Sequence, residues 1–203
     1  MEGAREQIIQ TLKTYQINKT QLPEIETDQI FTLSESVKRF KFEFERAGGN
    51  LIEARPEEIH EVLSGIVSSE NIRRIFAETF EKDINEKIKD LQVDQIITQP
   101  HLEKQLADID ASITGCDFLI AETGTIVFIH KENKFKSAVL LPRIHIVIAN
   151  RSQIIPTLEE LFKRIGGNFD SIFLITGPSR TADIEKVLVR GVHGPQKVYL
   201  ILT

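Results

Sequence analysis

The chain has 203 residues, 41% of them hydrophobic, enough to bury a core and short for two full domains. Thirty acidic and 25 basic residues give a net charge of −5, and the basic ones are spread along the chain, which argues against nucleic acid or an anionic membrane as the principal partner. The lone cysteine, Cys116, cannot close an internal disulfide or supply the thiolates of an iron–sulfur cluster. A reducing cytoplasm is expected. The sequence contains no apolar run of membrane-spanning length and no apolar leader after Met1. In chain order, Ile8, Ile9, Leu12 and Tyr15 space a first helical stripe, and the polar stretch 18–28 reads as a loop. The expected division is therefore a helix and loop over 1–30 and a single α/β domain over 31–203.

Within that domain a helix is expected from Ser34 to Ala47, with Val37, Phe40 and Phe44 inward and Gly48-Gly49 as its stop. Asn50 to Ala54 reads as a short strand. Pro56 sits at a helix start, with Ile59, Val62, Leu63 and Ile66 at core spacing and His60 on the exposed side. Asn71 to Phe80 fits either a short helix or a strand and turn. From Leu91 onward short apolar strands dominate: Val93 to Ile97, Phe118 to Ile120, Ile126 to Ile129, Ile144 to Ala149, Ile172 to Ile175 and Val198 to Leu202. One helix interrupts them at Thr157 to Ile165, opened by the capping box Thr157-Leu158-Glu159-Glu160, with Leu158, Leu161, Phe162 and Ile165 facing inward. Strands mixed with helices predict an open α/β sheet.

Two turns attract attention as sites. The segment Ser171 to Thr203 reads as a strand, a turn, a helix carrying Ile184, Val187 and Leu188, and a final strand: one βαβ-like crossover. Its first turn, Thr176-Gly177-Pro178-Ser179-Arg180-Thr181 with Asp183 following, is small, hydroxylated and basic. At a helix start, outward N–H groups favour an anion, whereas Ser179 or Thr181 could equally serve as a plain cap. The second turn is Ala121 to Thr125, a hairpin in which Gly124 supplies a positive φ and Glu122, Thr123 and Thr125 become candidates for chemistry or binding. A solvated Glu122 with threonines satisfying loop backbone is the plainer alternative. Asp117 reads as a turn cap and Cys116 as a buried, inert thiol.

Pro142 to Ile148 alternates, placing Arg143 and His145 on one strand face and three isoleucines on the other. Those two cationic or donor groups could meet an anion, or His145 could be an ordinary core histidine. His193, in the loop Arg190 to Pro195, is a further binding candidate. The five histidines show no metal-ligand spacing, and there is neither a GxGxxG nor a P-loop pattern.

The runs GCDFLIAETGTIV, LPRIHIVIA and ITGPSRTADIEKVLVRGVHGPQKVYLIL resemble the lactate-utilisation protein C family, which carries the LUD domain. The resemblance covers Gly115 to the C-terminus by motif, and the N-terminal part only in general character. It implies a fold similar to that of ribose-5-phosphate isomerase, glucosamine-6-phosphate deaminase, coenzyme A transferases and 5-formyltetrahydrofolate cyclo-ligase: an open, mixed, largely parallel sheet with helices on both faces. It also implies a non-redox role in oxidising L-lactate to pyruvate beside the iron–sulfur lactate-utilisation proteins A and B, with no cofactor in this chain and the clusters in its partners. An alternative is a free-standing enzyme or binding protein for a small acyl, sugar-phosphate, folate or coenzyme A-type ligand, with Glu122 as the acid, base or nucleophile. A small anionic ligand and a homo-oligomer both remain compatible with these residues.

Overall fold

The computed structural model describes residues 5–8, 11, 32–98, 108–130, 136–166, 169–181, 189–190 and 194–203. The chain divides into two compact units, Met1–Ile30 and Phe31–Thr203. In the first, residues 5–8 and 11 are helical and Ile8 is exposed, while Ile9, Leu12 and Tyr15 of the expected stripe lie outside the described residues.

The second unit begins with helix α1, Leu33–Arg46. Thr32 caps it in a full capping box with Glu35, and Gly48 follows its end at φ 87°. Strand β1, Asn50–Glu53, leads through a 3-10 turn at Pro56 into α2, Ile59–Ser69. The open segment at Asn71 to Phe80 contains β2, Arg74–Ala77, and is followed by α3, Lys82–Lys89. Strands β3 (Gln95–Ile97) and β4 (Ala111–Thr114) then enter the same sheet as β2. Strands β5 (Phe118–Ile120) and β6 (Thr125–His130) form the hairpin, and β7 is Ile144–Ala149. The remaining elements are β8 (Ile154–Ile155), α4 (Leu158–Arg164), β9 (Ser171–Ile175), β10 (Arg180–Thr181), β11 (Val189–Arg190) and β12 (Lys197–Leu202).

Six strands make a sheet in the order β1-β12-β7-β4-β2-β3, and every neighbouring pair is parallel. Such a sheet must be covered on both faces, and its central strands accordingly read as buried runs; all six residues of β7 are buried. Helices α2 and α3 cover one face through Ile59, Leu63, Ile66 and Ile88, packed on Ile75, Ile113, Ile144, Ile146 and Ile201. The other face meets α1, whose stacked Phe40 and Phe44 have ring centroids 5.6 Å apart, and a second sheet in the order β8-β5-β6-β9. Leu161 of α4 closes the far side of that second sheet over Ile120, Val127 and Ile155.

Helices on both faces of a largely parallel sheet match the expected class. Several local expectations need correction. Phe162 points outward at 58% exposure, because a seven-residue helix turns only Leu161 fully into the sheet. The box at Thr157 is half formed: its hydroxyl accepts from Glu160 N, but the Glu160 carboxylate pairs with Arg164 instead. His60 is half-buried, with Nδ1 on the Lys87 carbonyl, so it ties α2 to α3. The crossover from Ser171 to Thr203 is not a single βαβ unit, since β9 lies in the second sheet and β12 in the first. The turn after β9 does not open a helix either: Arg180 and Thr181 pair in an antiparallel ladder with Val189 and Arg190. The helix expected through Ile184, Val187 and Leu188 falls outside the described residues.

Candidate functional site

In the six-stranded sheet the chain runs outward from β2 to β3 and then returns to β4, β7 and β12 on the other side. The order therefore reverses between β2 and β4, and ligands of open α/β sheets bind beyond the carboxyl ends of strands at such a reversal. A cavity of about 470 Å³ opens there. Its walls are Phe76 with Glu78, Thr79 and Phe80 just past β2, Thr98 past β3, Thr114 to Asp117 past β4, Phe128 to His130 at the end of β6, and Ala138 with Val139 before β7.

The cavity is held by backbone hydrogen bonds at the strand ends. Glu78 N donates to the Ile113 carbonyl at 2.9 Å, and Gly115 N donates back to Glu78 Oε2 at 3.2 Å, which clamps β2 and β4 together just where they stop pairing. Asp117 Oδ2 accepts from Ile129 N at 2.6 Å, and Asp117 N donates to Val127 O. Two carboxylates are thus fixed at the rim by main-chain donors. Burial pushes the Cys116 thiol up, and the nearby Asp117 and Glu78 carboxylates add to the shift, so at neutral pH it is a protonated wall atom rather than a nucleophile. His130 packs edge-on against Phe173, 5.1 Å between ring centroids.

His145 does not line the cavity but stands behind Thr114, which does. Its ring is fully buried, burial pushes its pKa down to about 3, and Nε2 lies 2.8 Å from Thr114 Oγ1. It is therefore a neutral side chain at neutral pH and not a cation for an anion. Arg143 lies apart from it, before β7, half-exposed, with Nη2 donating to the Glu70 carbonyl at 3.1 Å.

The two glycine turns meet each other, but what they hold is α1. Thr125 Oγ1 bonds both Thr123 Oγ1 (2.6 Å) and Thr176 Oγ1 (2.7 Å), joining the hairpin to the end of β9. Gly124 has φ 64°, and a Cβ there would stand 2.5 Å from the Glu43 carbonyl carbon and 2.6 Å from Phe44 Cα. Gly177, at φ 75°, has the Ala47 carbonyl oxygen at 2.5 Å from the same imagined position. Pro178 is buried beside Gly48, and Arg180 Nη2 donates to the Ala47 carbonyl at the end of α1. A guanidinium at a helix C-terminus satisfies an orphan carbonyl and opposes the negative end of the dipole. Glu122 faces the other way, its Oε1 accepting from Leu158 N at 2.8 Å at the start of α4. Ser179 N donates to the Pro195 carbonyl, and Thr181 sits in the β10–β11 ladder. Asp183 and His193 lie outside the described residues.

Of the residues lining the cavity, the sequence singles out Cys116 as an inert thiol and Asp117 as a turn cap, and His145 stands behind Thr114. Glu78, Thr79 and Thr98 do not stand out, although each lies within two residues of the end of an apolar strand, and that position is the one signal that could have found them. Among the described residues, no group of three or more His, Cys, Asp or Glu side chains is gathered to hold a metal, and no helix is long and apolar enough to cross a membrane.

The fold is an open, largely parallel α/β sheet flanked by helices, with a cavity at the strand-order reversal. A family model for the LUD domain matches residues 5–203, and the chain belongs to that family. Similar curated proteins include lactate utilization protein C of Deinococcus radiodurans, 35% identical over 107 residues, which cover 51% of this chain and 50% of that protein. The protein of the same name from Macrococcus caseolyticus is 40% identical over 100 residues, covering 46% and 43%. That from Bacillus subtilis is 37% identical over 106 residues, covering 49% and 44%. The matches thus span about half the length of these relatives. A solved DUF162 family protein from Deinococcus radiodurans superposes with TM-score 0.64 over 85% of this chain and 98% of that one at 21% identity, a likeness of fold.

Proposed function

We propose that this chain is a non-redox subunit of a lactate-oxidising system, working beside the iron–sulfur lactate-utilisation proteins A and B as they convert L-lactate to pyruvate. The observation that carries this reading is the LUD match across residues 5–203, together with relatives named lactate utilization protein C. The composition of the chain is compatible with it: Cys116 is its one cysteine, too few to hold an iron–sulfur cluster through four thiolates. The part left to this subunit is to bind a ligand in the cavity past β2 and β4 and to present it to the complex. A soluble cytoplasmic location fits that role.

Tagged chain expressed in its own cells should capture cysteine-rich iron–sulfur proteins, and deletion of its gene should stop growth on L-lactate while sparing growth on pyruvate. Equal growth on both, with no iron–sulfur protein captured, would sink the proposal.

A further inference from the structure

Among the described residues the two larger sheets end in four edge strands: β1 and β3 in the first, β8 and β9 in the second. An edge presents backbone N–H and C=O groups that another chain can pair with, and soluble proteins blunt it with short strands, charge or proline. Three of the four are blunted in this way. β3 has three residues and β8 has two. β1 has four, and its exposed Glu53 gathers Lys41 and Arg151 beside it.

β9 carries no such device. Its five residues, Ser-Ile-Phe-Leu-Ile, include no charge, proline or glycine. Along its whole length it pairs with β6, from Ser171 opposite His130 to Ile175 opposite Ile126, and among the described residues no strand lies on its other side. Phe173 and Ile175 pack toward α1 and the first sheet, and Ile172 packs toward α4. Leu174 shares the strand face of Ile172 yet is 46% exposed, a large apolar side chain left at an open edge.

The chemistry of this edge selects its occupant. Only an extended backbone can complete the ladder, and the strand offers no charge with which to hold a charged peptide. A second β9, antiparallel about a two-fold axis at Phe173, sets Phe173 against Phe173, Ile172 against Leu174 and Ser171 against Ile175. These are aromatic and aliphatic cross-strand pairs with no like charges opposed. The contact is isologous, so it completes both open edges at once.

We propose that β9 pairs antiparallel with β9 of a second copy of this chain, joining two four-stranded sheets into one of eight strands. β9 is bonded to the stretch of β6 that supplies Phe128, Ile129 and His130 to the cavity wall, so the cavities of the two copies flank the interface, each one strand removed from it.

The test is sedimentation of the full chain from about 1 to 200 μM, because a five-residue ladder is a small interface and a Kd on the order of 10 μM is expected. Leu174→Lys places an ammonium opposite Ile172 at both ends of the ladder and should weaken the dimer about tenfold or more. Its melt, taken at a concentration where the wild type is monomeric, should stay within about 2 °C. Phe42→Lys, at an exposed position on α1, should leave the dimer unchanged. In the wild-type chain, hydrogen exchange at the β9 amides that do not bond to β6 should slow as concentration rises, a readout independent of any variant. A monomer throughout the range overturns the proposal. So does a dimer that survives Leu174→Lys, one that is lost in Phe42→Lys instead, or one without concentration-dependent protection in β9.

Discussion

The glycine turns at Ala121–Thr125 and Thr176–Arg180 and the cavity past β2 and β4 both lie where strands end, and both gather hydroxyls and charged groups. They differ in what fills the space between the walls. Between the turns lies the C-terminal end of α1, close enough that neither Gly124 nor Gly177 has room for a side chain. Between Glu78, Thr114 and Phe128 lies open volume. The motif-rich turns are thus filled by their own chain, whereas the open volume lies where the sequence carries little signal.

The largest test of that contrast is Gly124→Val. A side chain there combines strained positive φ with a clash against the α1 backbone, and a loss of about 3–5 kcal/mol is expected. Thermal melting should fall by roughly 10 °C for a domain of this size. An unchanged melt would mean that α1 is not seated between the turns.

A second effect separates the buried interior from the surface. His145 is held neutral in the folded state down to about pH 3, whereas in the unfolded chain it titrates near 6.5. Between those values the unfolded state binds the extra proton, so stability is present above about pH 6.5 and is lost as pH falls, by up to about 1.4 kcal/mol per unit. His145→Gln should remove that part of the slope in denaturant titrations between about pH 4 and 6.5. Identical slopes would place the ring in contact with water or with a compensating charge.

The smallest expected change is at Glu122. Removing its carboxylate in Glu122→Ala leaves Leu158 N without its acceptor at the start of α4 and should cost about 1 kcal/mol, read from urea unfolding. A loss near zero would show that solvent replaces the cap.

The same contrast explains what could be read from the chain beforehand. Strands of mostly apolar residues, Phe118–Ile120 and Ile144–Ala149, are legible to the residue, and α1 nearly so, because burial writes itself as composition. Central strand β4 is not: Ala-Ser-Ile-Thr carries two polar residues, Ser112 standing opposite His145 in the register and Thr114 hydrogen-bonded to its ring. Helix α3 is concealed by charge, with Ile84 and Ile88 its only large apolar residues. Strand order, and with it the reversal between β2 and β4, depends on long-range pairing, so Glu78 and Thr98 gave no local sign of sharing a wall with Thr114. The glycine turns were visible because a positive φ demands glycine; that α1 is what packs against them was not.

Growth on L-lactate of cells lacking their own copy, complemented with Glu78→Gln or with Glu122→Gln, tests the central claim most directly. Both variants should fold, since an amide oxygen can still accept from Gly115 N or Leu158 N. The cavity account predicts that Glu78→Gln fails to restore growth and Glu122→Gln restores it. Growth with Glu78→Gln and none with Glu122→Gln would contradict it and return the function to the hairpin turn.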